Sequence, residues 1–177
     1  MTDEQITLKK WIDESNYIVF FGGAGVSTES NIPDFRSTDG LYNQKYKYPP
    51  ETILSHSFFV QKPEEFYDFY RDKMIYTEAK PNKAHYALAE LEKQGKLKAV
   101  ITQNIDGLHQ AAGSKSVYEL HGTIMKNYCT RCGREYPLSA IIESKGIPRC
   151  QVKDETGGVC KGIIKAKVVL YEEGLDG

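Results

Sequence analysis

The chain has 177 residues, 40% hydrophobic and 27% charged, a length that holds a real core as one medium domain or as a domain with a small satellite. A net charge of −1 of mixed sign speaks against a nucleic-acid or membrane surface, no apolar run spans a bilayer, and the start MTDEQITLKK lacks the apolar centre of a signal peptide. The expected setting is cytoplasmic, where four cysteines read as metal ligands or free thiols before disulfides.

Thr2 to Ser15 reads as a first helix: Thr2 and Gln5 form a capping box, and Ile6, Leu8, Trp11 and Ile12 make an apolar stripe expected to pack on a sheet. Tyr17 to Phe21 is a continuous apolar run, the pattern of a strand buried on both faces. Gly22, Gly23 and Gly25 then lead into Val26-Ser27-Thr28. Such a turn lets a ligand approach the backbone, and a helix starting here would favour an anionic group such as a pyrophosphate. It is not a full GxGxxG, and a plain structural turn is the other reading.

Residues 37–50 read as a loop whose Tyr42, Tyr46 and Tyr48 either form a binding surface or tuck against the body. Pro63 opens a helix with Phe66, Phe69, Tyr70 and Met74 at near-helical spacing, a core stripe. Asn82 caps a further helix that Gly95 closes, with His85 in its first turn tied into local hydrogen bonds. Lys98 to Gln103 is the second strand, and its turn places Gln103, Asn104 and Asp106 at the carboxyl end, where open α/β sheets bind ligands. An ordinary capping turn is the alternative. A third strand, Val117 to Gly122, ends in His121, the best-placed base of the four histidines.

Cys129-Thr130-Arg131-Cys132 is a CxxC, followed by Cys150 and Cys160 among glycines. Two thiolates on one tight turn and two from a second arm complete a closed, structural Zn²⁺ site. The second pair is spread by nine residues, so its arm carries an extra loop, expected over 151–158. Disulfides or free thiols are the competing reading.

GAGVS followed by IPDFR resembles the nucleotide loop of the sirtuins, the NAD-dependent protein deacylases, and TQNIDGLH and the His121-Gly122 pair extend the resemblance along nearly the whole chain. It implies an α/β fold: a partial Rossmann-like parallel sheet over 1–123 and 163–177, a helical insertion at about 37–81 and a zinc-binding ribbon over 124–162. It implies NAD and Zn²⁺ as cofactors, and removal of an acyl group, acetyl above all, from lysine on a protein or peptide. By the same resemblance His121 is the catalytic base, and Asn104, also catalytic, acts with Asp106 and the Ile105 backbone on the nicotinamide amide. Phe35 shields the reactive sugar, and Ala24, Thr28, Arg36 and Gln103 complete the cofactor contacts. Members preferring acidic acyl groups carry Tyr-x-x-Arg on the helix after Pro63; here Tyr67 and Tyr70 stand at those positions, with Arg71 one residue on, which favours a neutral acyl group.

The chain departs from the family at Ala166 and Lys167, where proline and aspartate are usual, and at Asn31, often glycine. The family also continues into a second half of the nucleotide-binding sheet that this sequence lacks. The expectation is an unpaired sheet edge and an exposed apolar face, in a truncated form, a fragment, or a chain that self-associates or meets a complementing chain. ADP-ribosyl transfer and a non-catalytic zinc-binding fragment are the alternative functions.

Overall fold

A computed structural model describes residues 1–34, 47–153 and 157–175. Helix α1 (Asp3–Glu14) leads into β1 (Ile18–Gly22) and two short 3-10 turns, Ala24–Val26 and Thr28–Ser30. Helices α2 (Pro50–Ile53), α3 (His56–Gln61), α4 (Pro63–Lys73) and α5 (Lys83–Lys93) follow. Next come β2 (Leu97–Thr102), α6 (Leu108–Ala111) and β3 (Val117–Glu119), then β4 (Gly122–Cys129), β5 (Glu135–Tyr136), α7 (Ser139–Ile142) and β6 (Ile164–Val168). Three strands form a parallel sheet in the order β1-β2-β3, and three form an antiparallel sheet in the order β5-β4-β6.

Within residues 163–177, expected to belong to the parallel sheet, the strand that forms is Ile164–Val168, and its hydrogen-bonded partner is β4, so it joins the second sheet instead. Gly122 makes this pairing feasible. Its φ of 75° favours glycine, and a methyl group there would run into the Lys167 carbonyl. The main core lies between helices α2 to α4 and this second sheet. Phe58, Phe59, Phe66, Tyr67, Phe69 and Tyr70 pack with Ile124, Ile141, Ile164, Ala166 and Val168, so the aromatic stripe of α4 is core. The parallel sheet has a smaller cluster, Leu88, Leu97 and Val100, against α5.

Two expectations about burial change. β1 is not buried on both faces: Ile18 and Phe20 are half-buried, whereas Val19 and Phe21 are 49% and 61% exposed. An unbroken apolar run does not reveal that only alternate residues meet α5 and α6. The capping box of α1 forms, with Gln5 and Thr2 exchanging bonds of 3.0 and 3.3 Å. Its stripe does not pack: Ile6, Leu8 and Trp11 stay exposed, and Lys96 ties the helix end to the sheet through the carbonyls of Ile12 and Asp13. The expected exposed apolar face is present among the described residues, at Val19, Phe21 and Tyr118.

Candidate active site and metal centre

At the carboxyl ends of β1 and β2 two turns meet. The glycine turn starts no α-helix. It folds into the two 3-10 turns, closed by bonds of 3.0 Å from Val26 to Gly23 and from Ser27 to Ala24, then 2.9 Å from Ser30 to Ser27. Ala24 lies in the first and Thr28 starts the second, its Oγ1 donating to the Gly25 carbonyl at 2.9 Å. The anion attraction expected of a long helix therefore reduces to local N–H groups.

Ser27 joins the two turns. It is 1% exposed; its hydroxyl donates to Asp106 Oδ2 at 2.7 Å and accepts from Asn104 Nδ2 at 3.0 Å. The other Asp106 oxygen accepts the Leu108 N–H at 2.9 Å, so the carboxylate also caps α6. The capping reading of Asp106 is realised, and the same carboxylate joins the two turns through Ser27. Sequence reasoning missed Ser27, because its partner lies 79 residues away and the only local signal was a polar residue where GxGxxG would continue. Ile105 faces the main core and accepts from Ile124 N–H at 3.0 Å, which pins the turn that carries Asn104 and Asp106 to β4.

Gln103 extends β2 by donating its N–H to the Gly22 carbonyl at 3.0 Å, and its side-chain oxygen lies against Gly23. Its own carbonyl faces His121 Nδ1 at 3.1 Å. A carbonyl only accepts, so Nδ1 carries the proton and Nε2 is left as the basic nitrogen. Nearby, burial pushes the Glu119 carboxyl above its usual range, against hydrogen bonds from Gln110 and Thr123. Phe35 and Arg36, like Tyr42 and Tyr46, lie outside the described residues.

Behind the turns His85 and His109 are almost fully buried with ring centroids 4.7 Å apart. Burial lowers the pKa of both, against the opposing pull of Asp106. His85 accepts the Asn82 N–H at 3.2 Å, in line with the structural role expected of it.

The four cysteines converge. Their sulfurs all lie within 4.8 Å of one another, with Cys129–Cys160 and Cys132–Cys150 each at 3.7 Å. A tetrahedron with Zn–S bonds of about 2.3 Å has S–S edges of about 3.8 Å, so the donor set fits Zn²⁺ and no disulfide is formed. The described sides of the arm that spreads the second pair run antiparallel, with Lys153 bridged to Val159 and Cys160 N–H bonded to the Val152 carbonyl at 2.8 Å.

The Sir2 family profile matches residues 23–177. The chain belongs to the Sir2 family. It is 60% identical to an NAD-dependent protein deacetylase of Clostridium acetobutylicum over 99% of this chain and 70% of the relative. It is 46% identical to an NAD-dependent protein deacetylase of Sulfolobus acidocaldarius, over 100% of this chain and 68% of the relative. Among solved structures, a Sir2 variant with deacetylated p53 peptide and 3′-O-acetyl ADP ribose superposes with a TM-score of 0.83 at 40% identity, covering 99% of this chain and 68% of that one. A Sir2 complex with p53 peptide and NAD⁺ gives 0.79 at 40% identity, covering 99% and 67%. The α/β architecture is thus that of a sirtuin, and the four cysteines stand placed to hold Zn²⁺.

Proposed function

We propose that this sirtuin is an NAD-dependent protein-lysine deacetylase, giving deacetylated lysine, nicotinamide and O-acetyl-ADP-ribose. The observation that carries the reading is the joined turn, where Ser27 holds Asn104 and Asp106 together at the strand ends, beside a His121 whose Nε2 is free to take a proton. Bound here, NAD would supply the ribose carbon that takes the acyl oxygen, with nicotinamide as the leaving group. Asn104, Asp106 and the Ile105 backbone would orient the nicotinamide amide, Phe35 would shield the reactive sugar, and Ala24, Thr28, Gln103 and Arg36 would complete the cofactor contacts. His121 Nε2 removes a proton from a ribose hydroxyl, and the Gln103 carbonyl keeps the ring in the tautomer that permits it. The thiolates of Cys129, Cys132, Cys150 and Cys160 would hold Zn²⁺ with no open position, so the metal supports residues 124–162 and performs no chemistry.

The acyl group is neutral. Tyr67 is buried with its hydroxyl donating to the Ile164 carbonyl at 2.6 Å, and Tyr70 is buried beside it. Arg71 is committed to Ile141, Ser144 and Gly146, so no guanidinium fork is free on this helix for an acyl carboxylate. The partner is an acylated lysine on a protein or peptide. A cytoplasmic setting is supported by four thiols free of disulfides, and among the described residues no helix is long and apolar enough to cross a membrane. Self-association through Val19, Phe21 and Tyr118 rests on their exposure; sedimentation that shows only monomer at high concentration would remove it.

The test is mass spectrometry of acetyl-lysine and succinyl-lysine peptides incubated with and without NAD. Loss of acetyl only with NAD is expected, slowed about 10²- to 10⁴-fold in His121→Ala, with little loss of succinyl. A peptide or protein that instead gains ADP-ribose would assign transfer to protein, and no turnover from folded, metal-loaded chain would leave the zinc-binding alternative.

A further inference from the structure

Among the described residues, distant side chains hold the Val26–Ser30 part of the glycine turn from two sides, and only the tie through Ser27 belongs to the site described above. The other comes from behind. Asn82 Nδ2 donates to the Val26 carbonyl at 2.7 Å and contacts Ser30 Oγ at 3.0 Å, crossing more than fifty positions of sequence. Val26 and Ser30 flank Ser27 on either side, one in each 3-10 turn. Isolated 3-10 turns close with poor hydrogen-bond geometry and hold their shape weakly alone.

The same residue also begins α5. Asn82 Oδ1 accepts the Ala84 N–H at 2.9 Å, and its backbone N–H donates to His85 Nδ1. That leaves the His85 proton on Nε2, in a ring buried against His109. The Asn82 backbone is held at its N–H by His85 and at its carbonyl, which accepts the Tyr86 N–H at 3.2 Å, so its amide projects from a fixed base. Only an amide serves both sides: aspartate or serine caps a helix equally well, but neither can donate twice while accepting.

We propose that Asn82 is a positioning residue for the nucleotide turn, setting the Val26–Ser30 segment so that Ser27 meets Asn104 and Asp106. The consequence for NAD rests on the proposed function; the tie itself does not. Two variants keep the cap and remove the tie: Asn82→Asp, which sets a carboxylate against the Val26 carbonyl, and Asn82→Ser, which is too short to reach it.

The test is amide hydrogen exchange on the 177-residue, zinc-loaded chain without NAD, followed by NAD titration of the same samples. Both variants should exchange about tenfold faster at the amides of Ser27, Ser30, Asn31 and Ile32, while the α5 amides keep their protection. NAD should bind about three- to tenfold more weakly, with affinity for acetyl-lysine peptide unchanged. Ser30→Ala should add little to Asn82→Asp, since both interrupt one connection. Unchanged exchange at the turn in both variants would overturn the proposal, and so would equal acceleration across α5, which would reveal a lost cap only. Faster exchange in a chain that fails to bind NAD even as wild type would keep the tie and defeat the proposed function instead.

Discussion

Asn31 takes φ 62° and ψ 26°, the left-handed region, at the end of the second 3-10 turn. The departure from the family's frequent glycine is thus a change to the side chain that tolerates this conformation best after glycine. Asn31→Gly should change stability by only a few tenths of a kcal/mol, whereas Asn31→Val should cost about 1–2 kcal/mol in chemical denaturation. His85 and His109 give a pH dependence. Burial lowers their folded pKa below the ordinary 6.5, so the unfolded chain binds more protons as acid is added. Their contribution to stability is complete above about pH 6.5 and is lost as the pH falls below it towards the folded values. The Asp106 charge acts on both rings and opposes this without reversing it. Unfolding midpoints measured from pH 8 down to pH 5 should fall, and less steeply in His109→Gln; equal slopes would remove the histidine explanation. The sequence marked Asn104, Asp106 and His121 because each sits in a short strand-turn pattern. It was silent on Ser27, whose role exists only once β1 and β2 lie side by side.

Among the elements, β4 carries the most consequence. It begins at Gly122 directly after His121, pairs with β6, and ends at Cys129, so one strand links the proposed base to the metal centre. Gly122→Ala would force a methyl into the Lys167 carbonyl in a conformation that disfavours side chains. About 2–4 kcal/mol of destabilisation is expected, together with lower turnover as His121 shifts; a variant with wild-type stability and activity would refute the assignment. The α4 stripe was legible as core from its spacing, because helical periodicity shows which face is apolar. The α1 stripe has the same kind of pattern, and yet Trp11 is 63% exposed. Periodicity identifies a face that can be buried; it does not name the surface that buries it.

Over the whole molecule, the metal centre and helices α2 to α4 share one core. Cys129 and Cys150 are buried in the same core as Phe66, Tyr67 and Ile164. Chelating the metal should therefore lower the unfolding midpoint of the chain by about 10 °C or more, with near-ultraviolet dichroism of the α4 aromatics lost in the same step. Aromatic signals unmoved in metal-free protein would show instead that the centre is an independent appendage. What the sequence determined by itself was local chemistry: thiol spacing, the strand–glycine turn, the polar turn after β2 and the histidine before Gly122. Each is written within about ten residues or as a set of reactive side chains. Tertiary structure alone decided that β6 pairs with β4, that β1 buries one face, that Arg71 is spent on the Ile141–Gly146 segment, and that Ser27 and Asn82 hold the glycine turn from two sides. Those outcomes depend on residues tens of positions apart, whose pairing is settled by packing and by satisfying buried polar groups, not by any periodicity along the chain.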